Sequence, residues 1–222
     1  ATLRDAIRGE LKEHALRVFN GEWDKLFVAQ VADPAHAEYE GRSMADLAAA
    51  NGADPLDFMF DLALSEDLDT LFTATLLNSD EDAVGKLMRD DNAIISLSDA
   101  GAHLTFLCDA GFGLHVLGHW VRDLGQMPLQ DAVRKLTSEP AGLFGIRDRG
   151  HIKPGAWADL MLFDPDTVGR GATRRVHDLP AGASRLTTPS QGVHGVWING
   201  TLVADADGIR SDASLAGRVL RE

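Results

Sequence analysis

Two side chains near the middle of the chain have the types and spacing to do chemistry. Asp99 follows the apolar run "IISLS" at residues 94–98, and His103 comes four residues later, with Ala100, Gly101 and Ala102 between them. A carboxylate at the carboxyl end of a buried strand can take a proton from a metal-bound water, or help to hold the metal. The small residues would let the backbone approach a substrate closely, and an imidazole there could donate to a substrate carboxylate or carbonyl. The plainer alternative is that Asp99 caps the following turn and His103 is an ordinary loop histidine. Local pattern leaves the two readings open.

Other candidates carry less. His115 and His119 stand four apart on a predicted helix, the spacing at which a helix offers two imidazoles to one zinc. Val116 occupies the place where the metalloprotease motif has glutamate, so ordinary helix residues are the better reading. Cys108 lies in "TFLCDAG" with no cation beside it in sequence to favour the thiolate, and reads as a buried thiol that could line a pocket. Between Asp54 and Asp91 eleven acids face two bases, Lys86 and Arg89. These read as solvated helix faces and caps, because the closely alternating oxygen ligands and sharp glycine turn of a calcium loop are missing. Trp120 and Trp157 read as packing residues, and Arg147 and Arg149 as surface residues.

The elements that must position Asp99 follow from periodicity. Residues 3–19 place Leu3, Ile7, Leu11, Ala15 and Val18 on one helical face. Strands are predicted at 26–32, 70–77 and 94–98. Between them, Ser43 with Asp46 three residues on opens a helix that stops at Asn51-Gly52. Asp54-Pro55 opens another through about Leu64. Ser79 with Asp82 begins a third, with Ala83, Val84, Leu87 and Met88 on its inner face. Pro128 begins a fourth, with Leu129, Ala132, Val133 and Leu136 inward. Strands alternating with helices argue for a parallel sheet with crossover helices, in which working groups gather at the carboxyl ends of the strands. After residue 145 short strands separated by Gly, Asn and Asp turns take over, and Asn199-Gly200 is a two-residue hairpin signal.

Composition bounds the function. The chain has 222 residues, 45% of them hydrophobic, and a formal net charge of −13. An acidic surface repels phosphates and anionic lipid, so nucleic acid and membrane are not expected partners. With a single cysteine there is neither an internal disulfide nor a cysteine-based zinc cluster. No apolar run reaches the roughly 20 residues of a membrane helix, and a cytoplasmic protein is the expectation.

The tail resembles a known family. "KLTSEPAGLFGIRDRGHIKPGAWADLMLFDPD" followed by "GVHGVWINGTLVADADG" is similar to the C-terminal end of the amidohydrolase superfamily. The matching residues are Thr137, Pro140 and Ala141, then Gly150, Ile152, Gly155, Ala158, Asp159 and Leu160, then Val193, Val196, Asn199 and Gly200. "YEGRSMADLAAANGADPLDFMFDLAL" and "FGLHVLGHWVRDLGQMPLQDAVRKLTS" resemble its N-acyl-D-amino-acid deacylase (D-aminoacylase) branch.

The resemblance implies an α/β fold: residues 1–145 as the C-terminal half of a metal-dependent (β/α)8 TIM-type barrel, and residues 146–222 as part of a small β-sandwich. It implies that Asp99 is the acid at the end of barrel strand eight, general base and at times a zinc ligand, while His103 helps to bind substrate. The implied reaction is attack of zinc-bound hydroxide on the N-acyl amide of a small molecule, an N-acyl-amino acid as judged from the branch. Where the branch carries Gly-Ser-Asp-Gly, this chain has Leu97-Ser98-Asp99-Ala100, which leaves the stereospecificity open. Asp159 is expected to bond backbone locally.

The rest of the family's zinc site, a His-x-His and further histidines, does not occur in these residues, and a full barrel needs about 250 residues. The chain opens on a helix already under way. Most zinc ligands are therefore expected from an N-terminal half, as a separate chain or a missing segment, covering an otherwise open sheet edge. A homo-oligomer is compatible with this reading. Two alternatives stand beside it: a cyclic amide, lactone or peptide substrate, and an inactive binding or scaffold subunit that keeps the fold.

Overall fold

Local capping chemistry sets the helices of the first part of the chain. The computed structural model describes residues 2–11, 18–75, 77–213 and 215–220. It divides into two units, one running to Val84 and one starting at Gly85.

In the first unit, α1 spans Leu3–Leu11; the predicted continuation over residues 12–17 lies outside the described residues. The Ser43 hydroxyl accepts from the Asp46 amide at 3.1 Å and starts α2, Met44–Ala50. Asp54 accepts from the amides of Leu56 and Asp57, at 3.1 and 3.3 Å, and starts α3, Pro55–Ser65. Such caps satisfy amides that the first helical turn leaves without partners. Part of the acidic run is also paired: Arg4 reaches Asp57 and Asp61, and Arg8 reaches Asp54 and Asp57.

The strands β1, Leu26–Gln30, and β2, Leu71–Ala74, form an antiparallel pair with Leu26 opposite Ala74 and a bulge after Val28. A parallel arrangement was expected, so this corrects the sequence reading. Residue 76, inside the predicted second strand, is outside the described residues. The core joins Val28, Met44, Leu47 and Leu62, with Tyr39, Phe58 and Phe72 packed against them. Full burial of each such side chain stabilises by about 1.5–3 kcal/mol.

Glu66 closes α3 from inside the unit. Its oxygens accept from the Thr70 hydroxyl at 2.6 Å, the Ala32 amide at 3.0 Å, His36 Nδ1 at 2.8 Å and the Asp33 amide at 3.4 Å. Burial pushes this carboxyl up, but the four donors outweigh burial and bring it down to about 2.

The helix α4, Glu81–Arg89, leads into the second unit. Asp80, one residue after the predicted cap, accepts from the Ala83 amide at 3.0 Å, while Ser79 accepts from Lys25. Leu87, expected inward, is exposed. Beyond α5, Phe112–His115, the helix widens into π-type turns over Val116–Asp123. Then come α6, Leu129–Leu136, and α7, Ser138–Leu143, separated by a kink at Thr137. Val116, Leu117, Trp120, Met127, Ala132, Ala141 and Val168 are buried.

The remaining strands are short. They are β3 (Leu160–Phe163), β4 (Gly169–Arg170), β5 (Arg174–Val176), β6 (Arg185–Thr187), β7 (Ser190–Gln191), β8 (Val193–Ile198), β9 (Thr201–Asp205) and β10 (Gly208–Ile209). One sheet has the order β10-β9-β8-β3, and β4–β7 and β5–β6 form separate pairs. Every strand pair among the described residues is antiparallel.

The predicted hairpin is present, with Ile198 opposite Thr201 and positive φ at Asn199 (49°) and Gly200 (81°). Gly150 of the tail motif has φ +78°, and a Cβ there would lie 3.0 Å from the Thr137 carbonyl oxygen and 3.1 Å from Ala141 Cβ. Only glycine fits against the α6–α7 kink. Among the described residues no helix is long and apolar enough to cross a membrane.

Candidate active site around Asp99

The segment bearing Asp99 forms no strand. Residues 93–99 are irregular, with Ile94 and Ile95 half-buried and Leu97 exposed. A strand exists through its ladder bonds, and no neighbouring strand supplies them among the described residues. The predicted strand at 94–98 is corrected accordingly.

Asp99 sits at φ 55°, a left-handed conformation that Asp adopts more readily than most residues, and its side chain is exposed. The Ser98 hydroxyl accepts from the Ala100 amide at 3.1 Å, and the Asp99 carbonyl accepts from the Ala102 amide at 3.2 Å. His103, also exposed, has φ 50°, and its carbonyl accepts from the amides of Phe106 and Leu107, each at 3.0 Å. Its ring stacks on Phe106 with centroids 4.9 Å apart. Two non-glycine residues in left-handed conformation within five positions cost roughly 1–2 kcal/mol each. Among the described residues the Asp99 carboxylate accepts no hydrogen bond and joins no ion pair, so its lone pairs stay open for chemistry.

Ahead of the segment stands Lys135, whose side chain is almost fully buried. Its Nζ donates to the carbonyls of Asp90 at 2.9 Å and Ala93 at 2.8 Å, and lies 3.3 Å from Glu139. Three acceptors match the three protons of the ammonium, which is how a buried cation is tolerated. Behind the segment, Cys108 is half-buried with Sγ 3.4 Å from the Thr188 hydroxyl. Sequence reasoning passed over Lys135, Arg170 and Arg175, which bond main-chain carbonyls on either side of Asp99. Such contacts join residues some 40 to 70 positions apart and leave no local signal.

Among the described residues no three His, Cys, Asp or Glu side chains stand close enough to hold an ion. Asp99 and His103 therefore do not make a zinc site by themselves. His115 and His119 stack face to face, with centroids 4.7 Å apart and planes 14° apart. Beside them Asp123 is held below the usual carboxylate range, first by its hydrogen bond from Arg122 and further by attraction to both imidazoles.

Asp159 bonds backbone as expected, though not locally. It accepts from the Asn199 amide at 2.8 Å and pairs with Arg149, whose guanidinium also reaches the Asn199 side chain at 2.7 Å. Arg149 and Arg218 flank Trp157 with centroid distances of 5.3 and 4.5 Å. Arg149, read from sequence as a surface residue, is thus part of the hairpin's support.

The motif residues, the mixed α/β elements and the Asp99 loop lead to one class: the chain belongs to the amidohydrolase family, whose profile matches residues 7–204. Its similarity is to the D-aminoacylase-like branch. It is 32% identical over 194 residues to an N-acyl-D-glutamate deacylase of Alcaligenes xylosoxydans xylosoxydans, a match covering 82% of this chain and 36% of that protein. It is 40% identical over 105 residues to a D-aminoacylase of the same organism, covering 47% of this chain and 19% of that one. A solved D-aminoacylase, studied for the functional role of its binuclear metal centre, superposes with a TM-score of 0.51 at 27% identity, covering 93% of this chain and 40% of its own. The chain thus spans well under half the length of these relatives.

Proposed function

We propose that this chain is the C-terminal part of a hydrolase that cleaves the amide bond of an N-acyl-amino acid. The observation that carries the reading is the family match, which spans both the Asp99 loop and the motif-bearing tail. In this reading Asp99 is the acid–base residue: its open carboxylate accepts the proton of the attacking water and then delivers it to the leaving nitrogen. His103 orients the substrate by donating to its carboxylate or carbonyl. Exposed Leu97 and Phe106 flank the pair and fit a face that meets further polypeptide. Zinc is the proposed cofactor, with its ligand cluster supplied by residues beyond this chain, since those described do not assemble one.

The test is Asp99→Asn in the intact protein, assayed on N-acyl-D-amino acids, N-acyl-L-amino acids and cyclic amides. Turnover on an N-acyl-amino acid should fall by about 10²–10⁴-fold, with the far-ultraviolet circular dichroism unchanged. Turnover retained in the variant sinks the role of Asp99, and activity confined to cyclic amides replaces the substrate class.

A further inference from the structure

We infer that Arg175, seconded by Arg170, is a positioning residue for the Asp99 loop, so that the β5–β6 and β4–β7 pairs of the tail belong to the active site's support. This rests on the reading of Asp99 given above.

The loop cannot hold itself. Residues 93–99 have no ladder, Asp99 and His103 are both left-handed, and the internal bonds amount to short turns. A span of this kind keeps one shape only when its surroundings over-determine it. The surroundings act on carbonyls.

Downstream of His103 three successive contacts come from the tail. The Leu186 amide donates to the Leu104 carbonyl at 2.8 Å. Arg175, which lies opposite Leu186 in the β5–β6 pair, donates from Nη1 to the Thr105 carbonyl at 3.0 Å. Arg170 donates from Nη2 to the Cys108 carbonyl at 2.6 Å, with the Thr173 hydroxyl at 3.0 Å. Upstream, Lys135 takes the Asp90 and Ala93 carbonyls. The loop is therefore pinned at both ends by cations on main-chain acceptors, and Asp99 lies on the free span between them.

Two details argue that these contacts are more than surface decoration. Charge-assisted hydrogen bonds to carbonyls are stronger than neutral ones and are directional, which suits the guanidinium fork. Arg170 also keeps its Nε buried without a partner among the described residues. A buried donor left unsatisfied is costly and calls for an explanation. Here the Nη2 contacts supply it, because swinging the side chain out to hydrate Nε would release Cys108. The β5–β6 pair is itself braced by Arg185, whose fork grips Asp178 with both contacts at 2.7 Å. The clamp thus stands on a strand pair that carries its own two-point ion pair.

The experiment is hydrogen–deuterium exchange on the intact protein with Arg175→Met and, as the conservative control, Arg175→Lys, read beside steady-state kinetics on an N-acyl-amino acid. Arg175→Met should speed exchange at Ala102, Phe106 and Leu107 by about tenfold, and leave β8 and β9 unchanged. It should lower kcat by about tenfold or more through misplacement of Asp99. Arg175→Lys, which retains a cationic donor without the guanidinium fork, should recover part of both. Unchanged exchange at the three amides overturns the clamp whatever the activity. Faster exchange with unchanged kcat overturns the positioning role. Asp99→Asn measured alongside separates the two readings: full turnover in that variant condemns the assignment of Asp99, and leaves the exchange result to judge the clamp alone.

Discussion

Glu66 and Asp99 are two carboxylates at the ends of helical or apolar runs, and the chain treats them in opposite ways. Glu66 is buried and accepts four hydrogen bonds, so both oxygens are occupied and its carboxyl is brought down to about 2. Asp99 is exposed on a left-handed turn and accepts none among the described residues. A carboxylate whose lone pairs are all taken can stabilise a fold but cannot take up a proton near neutrality. One with open lone pairs adds nothing to stability and is available to a substrate. Sequence reads Glu66 as one of a run of solvated acids and Asp99 as an acid at a strand end; the structure buries Glu66, and hydrogen bonding separates the two.

The contrast is sharpest as a pair of variants. Asp99→Asn should cost about 10²–10⁴-fold in turnover and leave stability within about 0.5 kcal/mol. Glu66→Gln should do the reverse. Its amide turns one acceptor into a donor facing other donors, so stability should fall by about 2–3 kcal/mol, while turnover per folded molecule is kept. For a chain of this size that lowers the thermal midpoint by roughly 4–12 °C.

The pH dependence supplies the sign. Because the Glu66 carboxyl lies near 2 when folded against an ordinary 4.5, its contribution is complete above about pH 4.5 and drains away as pH falls toward 2. Chemical denaturation across that window should show an acid-side loss in the wild type that is smaller in Glu66→Gln. Equal slopes would remove Glu66 from its structural role.

Gly150 tests whether the tail motif is structural in the same sense as Glu66. Gly150→Ala puts a methyl 3.0–3.1 Å from Thr137 O, Ser138 Cα and Ala141 Cβ at φ +78°. Backbone cannot retreat as a flexible side chain can. A loss of about 2 kcal/mol in urea denaturation is expected, with the effect on turnover following stability.

What the sequence makes legible is local chemistry. Ser43 with Asp46, Asp54-Pro55 and Asn199-Gly200 each act within two to four residues, and each forms as read. Periodicity also finds β1 and β2, but apolar alternation does not encode the direction of a partner, and the two pair antiparallel. The run at 94–98 has the composition of a strand and lacks the ladder that would make it one. Of the candidate site, Asp99 and His103 are visible as types and spacing, and the structure sets them on one short strained loop. Arg170, Arg175 and Lys135 are invisible in sequence because their acceptors are carbonyls, which every residue carries.

The smallest expected effect probes the border between the two kinds of acid. Asp159 resembles Glu66 in accepting from a distant amide, that of Asn199, yet about a third of its side chain is exposed, as a reactive acid's would be. Burial raises its carboxyl, but the Asn199 amide and then Arg149 outweigh it and leave it below the usual carboxylate range. Its contribution is therefore present above the ordinary carboxylate value and fades as pH falls through the lowered one. Solvent screening trims the ion pair, so Asp159→Asn, which keeps an acceptor for Asn199 but drops the charge, should cost only about 1 kcal/mol. Asn199 and Gly200 should then exchange faster, with kcat untouched. If kcat instead fell as far as in Asp99→Asn, hydrogen-bond occupancy would not be what separates structural from reactive carboxylates in this chain.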